Sequence, residues 1–211
     1  MLIMPIIRTI RPNDNTVVGI WKITESIDDL SSQVVLSSKS KELLKSRKAS
    51  IHKLQFLSIR AILLEFGYSD QDLSYINNSP ILNNGKTISI SHSNLFSCVI
   101  ISDFKVGIDV QEFNNKINTI AKKFIGYETL YVKDNDTQIM SIIWNIKESI
   151  YKIAEIIGLD YKNHLLVIPF SINDDFTYSW LIYKKRKERY ISYFFTIENY
   201  SFAYLIHTGD E

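Results

Sequence analysis

Three short segments carry side chains that suit metal-assisted chemistry on a phosphate ester. His92 lies in the run Ile-Ser-Ile-Ser-His-Ser, and Asp109 lies in the run Val-Gly-Ile-Asp-Val-Gln-Glu. A third run, Trp-Asn-Ile-Lys-Glu-Ser-Ile-Tyr-Lys, holds Glu148 between Lys147 and Lys152. Magnesium binds one or two carboxylates together with substrate phosphates and water. Carboxylates for a metal beside ammonium groups for phosphate therefore predict a site for phosphoryl transfer, where catalysis is mainly positioning and charge neutralisation.

The periodicity around these residues predicts the elements that position them. Apolar residues at positions 106, 108 and 110 alternate around Asp109, which predicts a strand that presents the carboxylate. Residues four apart share one face of a helix, so Trp144, Glu148 and Lys152 form a stripe with Lys147 beside it.

Each residue also has an ordinary structural interpretation. Glu148 and Lys152 could form a surface ion pair worth about 0.3 kcal/mol. Asp109 could end a strand at a turn, and His92 could be a hydrogen-bonded core or capping residue. Taken singly, these interpretations are the better ones. The order and spacing of the three segments together favour the functional interpretation.

The order of elements predicts an α+β fold of two similar lobes, residues 1–104 and 105–211, each with a long helix on a small, mainly antiparallel sheet. A helix is expected at Glu42–Phe66, and Gly67 is expected to end it. A short helix is expected at Asn118–Phe124, and a long one along the isoleucines from Ile139 to Ile157. Strands are expected at Val17–Ile23, Thr87–Ser91, Ser97–Ser102, Val106–Val110, Leu165–Phe170, Thr177–Tyr183, Tyr190–Thr196 and Ser201–Ile206.

The three segments resemble the signature of the 4′-phosphopantetheinyl transferases of the surfactin-synthetase-activating type. That signature is Ser-His-Ser, then Gly-Ile-Asp-Ile-Glu, then Trp-x-x-Lys-Glu-x-x-x-Lys, and the likeness extends from about Glu42 to Gly158. The resemblance implies two pseudo-symmetric lobes with the active site between them. It also implies Mg²⁺ as cofactor and coenzyme A as substrate.

The resemblance assigns roles residue by residue. Asp109 and Glu148 would bind the metal and, with Lys152, form the catalytic set. Coenzyme A would contact Lys53, Ser91, His92 and Lys147. Two segments depart from the family. Gln111 stands where the family has a second metal-binding acid, and Asn78-Ser79-Pro80 replaces Gly-Lys-Pro.

The composition indicates which partners and which cellular compartment to expect. The net charge of +1 implies no bulk attraction to nucleic acid or membranes. Cys98 stands alone within an apolar run, which indicates a buried thiol in a reducing compartment. The first ten residues are interrupted by Pro5 and Arg8 and do not have the layout of a signal peptide. We therefore expect a cytoplasmic monomer.

The resemblance implies an enzyme that moves 4′-phosphopantetheine from coenzyme A to a serine of an apo acyl or peptidyl carrier protein. Two alternatives stay open. A degenerate module that binds coenzyme A or a carrier protein without catalysis would explain Gln111. A nucleic-acid-binding protein would use the basic residues between Lys39 and Arg60.

Overall fold

The computed structural model describes residues 6–207 and divides them into two compact units, one ending at Phe104 and the other beginning at Lys105. These residues form six α-helices and three antiparallel sheets, so the predicted α+β class is confirmed. Residues 1–5, which belong to the segment with no signal-peptide layout, lie outside the described part. Within residues 6–207, no helix is long and apolar enough to cross a membrane.

The first unit contains β1 (Ile6–Asn13), β2 (Thr16–Lys22), α1 (Ile27–Gln33), α2 (Ser38–Ser46), α3 (Ser50–Glu65), a 3₁₀ turn (Asp70–Asp72), β3 (Leu73–Ile76), β4 (Ser79–Leu82), β5 (Thr87–Ser93) and β6 (Phe96–Ser102). The long helix α3 packs on a four-stranded sheet of order β1-β2-β6-β5. Leu57 and Ile62 of α3 are fully buried in the same core as the sheet residue Val99. Strands β3 and β4 form a separate two-stranded hairpin.

The second unit contains β7 (Lys105–Glu112), α4 (Lys116–Ile120), 3₁₀ turns (Ala121–Lys123 and Tyr127–Leu130), α5 (Thr137–Ala154), α6 (Tyr161–His164), β8 (Leu165–Val167), β9 (Phe176–Tyr183), β10 (Arg186–Ile197) and β11 (Tyr200–His207). The helix α5 packs on a five-stranded sheet of order β7-β11-β10-β9-β8. Ile142, Ile146 and Ile150 of α5 have no exposed surface and belong to the same core as the inward-facing residues of the sheet.

The helix predicted over Glu42–Phe66 is two helices. The chain is extended at Arg47 (φ −75°, ψ 120°), and the Arg47 guanidinium donates to the Leu43 carbonyl at 2.8 Å, which caps the first helix. The predicted stop at Gly67 is confirmed, because Gly67 takes φ +83°, a left-handed conformation that glycine adopts without a steric penalty.

Three other predicted boundaries are also corrected. The long helix ends at Ala154 because Glu155 adopts φ +53°, and Ile157, assigned to its apolar face, is 97% exposed. The strand expected to reach Phe170 ends at Val167, shortly before Pro169, which has no N–H to donate. The short helix expected over Asn118–Phe124 is α4 followed by a 3₁₀ turn.

Candidate active site

Strand β7 and helix α5 approach each other closely at Gly107. This contact positions an acidic cluster made of Asp109 on β7 and Glu148 on α5. A Cβ atom at Gly107 would lie 2.1 Å from the Ser149 carbonyl oxygen, so only glycine fits. Helix α5 is also held to β11, where Asn145 donates to the Ser201 carbonyl at 2.7 Å and Ser149 donates to the Ala203 carbonyl at 3.2 Å. The glycine two residues before Asp109 therefore sets how near the aspartate lies to the helix.

Asp109, on β7, is 4% exposed and directly contacts two of the predicted site residues. The Lys152 ammonium donates to Oδ1 of Asp109 at 2.9 Å and to the Ile108 carbonyl at 2.6 Å. The Gln111 amide donates to Oδ2 of Asp109 at 3.3 Å. Positions 109 and 111 share one face of the strand, and the structure brings Asp109, Gln111 and Lys152 together.

Glu148 is half-buried on α5 and interacts with the same cluster. Burial raises the pKa of the Glu148 carboxyl group above its ordinary value, and the Asp109 carboxylate raises it further. Lys152 and a side-chain hydrogen bond with Tyr161 act in the opposite direction. Two carboxylates that repel each other beside one ammonium group form a site that an added cation would stabilise.

The donor set fits magnesium when a phosphate ligand supplies the remaining oxygens. Among residues 6–207 there is no cluster of three or more His, Cys, Asp or Glu side chains placed to bind a metal. Asp109 and Glu148 offer two carboxylates, and the Gln111 side chain beside Asp109 offers an amide oxygen. Magnesium is usually held by one or two carboxylates plus phosphates and water, so the absence of a protein cage is compatible with this metal.

Lys147 does not belong to this cluster, which corrects its assignment as a coenzyme A contact. Its side chain has no exposed surface, and its ammonium lies 2.8 Å from the equally buried Glu128 carboxylate. It also donates to the carbonyl oxygens of Phe124 at 2.7 Å and Tyr161 at 3.0 Å. Glu128 in turn accepts from the backbone N–H groups of Gly126 and Val167. Lys147 is therefore a structural residue.

The first unit contains a cavity of about 540 Å³ that combines cationic, aromatic and polar groups. Its wall draws on the α2–α3 junction, α3, the β3–β4 hairpin and β5. Lys53, one residue further along α3 than His52, does not line it, whereas the predicted Ser91 and His92 do. The lining residues that bear on ligand binding are Arg47, His52, Tyr75, Pro80, Ser91 and His92.

A buried ion pair between Arg60 and Asp70 lies at the wall of this cavity. The Arg60 guanidinium donates to Oδ1 of Asp70 at 2.7 Å and lies 3.3 Å from the centroid of the Phe56 ring, which the Arg47 guanidinium also approaches, at 4.3 Å. Asp70 further accepts from the Ser37 N–H and the Ser40 hydroxyl. Arg60 therefore braces α3, and Arg47 brings the second guanidinium to the cavity wall.

Neither a scan against protein-family models nor a search of curated proteins matches this chain. The geometry of the two units therefore carries the functional argument.

Sequence reasoning missed three residues that the structure connects to these sites. Tyr161 packs against Trp144 and Tyr151 of α5, Glu128 neutralises Lys147, and Tyr75 lines the cavity. Asp160 caps α6 by accepting from the N–H groups of Lys162 and Asn163, so a capping pattern could have placed a helix start at Tyr161. Nothing in the sequence indicates the partners of Tyr161 or Glu128, because those partners lie on other elements.

Proposed function

We propose that this protein is a 4′-phosphopantetheinyl transferase that moves the phosphopantetheine group of coenzyme A to a serine of an apo carrier protein. The observation that carries the proposal is the cluster of Asp109, Glu148 and Lys152, in which a 2.9 Å hydrogen bond joins the aspartate to the lysine. The sequence motifs that resemble the transferase family supply these residues. Phosphoryl transfer needs this combination of carboxylates and an ammonium group.

The proposed reaction forms one phosphorus–oxygen bond and breaks another. The serine oxygen of the carrier attacks the phosphorus atom that bears the pantetheine group, and the bond to the bridging oxygen of the pyrophosphate breaks, releasing adenosine 3′,5′-bisphosphate. Mg²⁺ held by Asp109 and Glu148, with Gln111 beside them, would neutralise the pyrophosphate charge. Lys152 would stabilise the negative oxygens of the transferred or leaving phosphate.

Glu148, or a water that it orients, would accept the proton of the serine hydroxyl. A general base works best when its pKa lies near the working pH. Burial and the Asp109 charge raise the pKa of Glu148 in the metal-free protein. A bound metal would lower that pKa again and would acidify its own water ligands, so the alternative base is a metal-associated water that Glu148 orients.

The cavity of the first unit supports the assignment of coenzyme A as the substrate. Arg47, His52 and His92 offer donors for phosphate oxygens, and Tyr75 offers an aromatic surface for a purine. On α2, Lys39, Lys41 and Lys45 are exposed. These lysines would complement the acidic helices that carrier proteins of this kind present.

A module that binds coenzyme A without catalysis is the second candidate. Two observations favour it: Gln111 stands where the family has an acid, and Asn78-Ser79 stands where the family has Gly-Lys. Such a module would bind coenzyme A in the cavity and would leave the carrier protein unmodified.

Mass spectrometry of the carrier protein separates the two candidates. The full chain is incubated with coenzyme A, Mg²⁺ and apo carriers of the fatty-acid, polyketide and peptide types, with EDTA replacing Mg²⁺ in the control. We expect one carrier class to gain the mass of one phosphopantetheine group, with no gain in EDTA. Binding of coenzyme A without a mass gain on any carrier would establish the non-catalytic module instead.

A further inference from the structure

One face of the hairpin formed by β9 and β10 carries large apolar side chains that remain exposed. Successive strand residues point to opposite faces of a sheet, and Leu181 and Phe194 point into the core that α5 covers. The residues next to them therefore point away from α5. We call this surface the β9–β10 face, and its apolar residues are Phe176, Tyr178, Trp180, Ile182, Ile191 and Tyr193. Four of the six are between 37% and 46% exposed, and the other two, Trp180 and Tyr193, are half-buried.

The apolar residues of the β9–β10 face contact one another across the two strands. Phe176 is opposite Tyr193, and Tyr178 is opposite Ile191 in the register of the sheet. The Phe176 ring centroid lies 6.0 Å from that of Tyr178 and 6.2 Å from that of Tyr193. These side chains form one contiguous apolar surface. A surface of this kind marks an interaction site, and aromatic residues supply much of the binding energy at such sites.

The β9–β10 face is basic at the end where the two strands are joined. Lys187 is opposite Ile182, Arg189 is opposite Trp180, and both cationic residues are exposed. The Arg189 guanidinium lies 5.4 Å from the centroid of the Tyr178 ring, so its charge stays beside the apolar surface.

The other end of the β9–β10 face is acidic. Asp174 and Asp175 are exposed and immediately precede Phe176, the first residue of β9. Among residues 6–207, neither these aspartates nor Lys187 and Arg189 have an ion-pair partner. Unpaired charges of opposite sign therefore lie at the two ends of one apolar surface.

We propose that the β9–β10 face binds a second copy of this chain through a twofold axis that lies between the two faces and runs across the strands. This axis reverses the strand direction of one copy, so the basic end of each copy lies over the acidic end of the other. The aromatic rings meet in the middle, and each charged end gains a partner of opposite sign. An axis along the strands would instead place basic ends together and acidic ends together.

The charges also favour a second copy over other partners. A purely acidic partner, such as a nucleic acid or an anionic membrane, would be attracted by Lys187 and Arg189 but repelled by Asp174 and Asp175. The dimer would not use the acidic cluster, because Asp109 contacts Lys152 of α5, which packs on the opposite face of the sheet. The proposed dimer departs from the monomer expected from the sequence and does not depend on the proposed activity.

Sedimentation equilibrium of the full chain at low salt tests the proposal. A face about 20 Å long lies at the small end of stable interfaces, so we expect a dissociation constant on the order of 10 µM. Association should weaken as salt is added, because the exposed charges at the two ends are screened. A chain that stays monomeric at about 200 µM in low salt, well above this dissociation constant, would overturn the proposal.

Ile191→Asp tests the apolar centre of the β9–β10 face. It should weaken association at least about tenfold, because it buries a charge where the aromatic rings of the two copies meet. Ile157→Asp is the matched control, since Ile157 is an exposed isoleucine beyond the end of α5 and outside this face. This control should associate as wild type does. Equal weakening in the two variants, or in neither, would place the contact elsewhere and overturn the proposal.

Charge reversal at exposed positions tests the orientation of the two copies without altering the core. Lys187→Glu and Asp175→Lys should each weaken association about tenfold, because each places like charges together at both ends of the interface. The two substitutions combined should restore association to near the wild-type value, because opposite charges then meet again. Circular dichroism checks that each variant is folded. Single variants that associate as wild type does, or a combination that restores nothing, would show that the basic and acidic ends do not meet and would overturn the proposed dimer.

Discussion

The Lys152 ammonium donates a 2.9 Å hydrogen bond to Oδ1 of Asp109, a residue 43 positions earlier in the chain. The Lys152 side chain is 27% exposed and the Asp109 side chain is 5% exposed. The pair therefore lies at the edge of the core, with the lysine towards solvent. In this position Lys152 can balance the charge of Asp109 and still reach a phosphate.

The first prediction concerns the two carboxylates. Asp109→Asn and Glu148→Gln should each lower transfer at least about a hundredfold, because each removes a charge that would bind the metal. The unfolding free energy of Asp109→Asn should fall by only about 1 kcal/mol, since the amide oxygen still accepts from the partly exposed Lys152. Carrier modification and urea denaturation measure the two effects. Near-wild-type turnover in either variant would disprove the proposed metal site.

The second prediction tests the correction at Lys147. Lys147→Met should lower the unfolding free energy by about 3–5 kcal/mol, because it leaves the Glu128 carboxylate buried without its cation. Lys86→Met is the control and should cost much less, because Lys86 and its partner Asp103 are 36% and 45% exposed. Urea denaturation compares the variants. A stable Lys147→Met protein with a raised KM for coenzyme A would instead support the prediction from the sequence that Lys147 contacts coenzyme A.

The third prediction concerns the cavity. Arg47→Ala and His92→Ala should each raise the KM for coenzyme A about tenfold with little change in kcat, because a phosphate contact present in both ground and transition states is lost. Lys53→Ala should have a smaller effect, since Lys53 does not line the cavity. Initial rates at varied coenzyme A measure this. An effect of Lys53→Ala as large as that of His92→Ala would place the phosphates outside the cavity.

The fourth prediction concerns position 111. Gln111→Glu should lower the Mg²⁺ concentration needed for half-maximal transfer, because the side chain already lies 3.3 Å from the Asp109 carboxylate and would add a third negative charge. Carrier preference should not change. Rates at varied Mg²⁺ provide the measurement, with Glu112→Gln on the opposite face of β7 as control. An unchanged Mg²⁺ requirement would mean that position 111 takes no part in metal binding.

The fifth prediction concerns stability in acid. Burial opposes ionisation of Asp70, but hydrogen bonds from Ser37, Ser40 and Arg60 prevail and hold its pKa below the ordinary value. A carboxyl group with a lowered pKa in the folded state stabilises the protein above its unfolded pKa of about 3.9 and loses that contribution as the pH falls through the folded pKa.

Asp70→Asn should therefore be less stable than wild type at pH 7 and should lose less stability as the pH is lowered below about 4. Urea unfolding across this pH range compares the two proteins, with the exposed Asp14→Asn as control. If the free energy of unfolding falls equally with pH in wild type and Asp70→Asn, the hydrogen bonds of Asp70 to Arg60, Ser37 and Ser40 do not couple stability to pH.

Much of the site could be predicted from the sequence because its signals are local. Alternation of apolar residues around Asp109 predicts β7, and the four-residue spacing predicts that Glu148 and Lys152 share a face of α5. These signals depend only on residues that are close together in the chain, so they can be recognised without the tertiary structure.

Only the tertiary structure decided what each charged side chain meets. Lys147 and Glu148 are adjacent, yet one lies in the core against Glu128 and the other faces Asp109, because their side chains leave the helix in different directions. The cavity likewise depends on residues from separate segments, such as Arg47, Tyr75 and His92. The sequence alone determined which groups could do phosphate chemistry. Packing between distant segments determined which of them are exposed to a ligand and which hold the others in place.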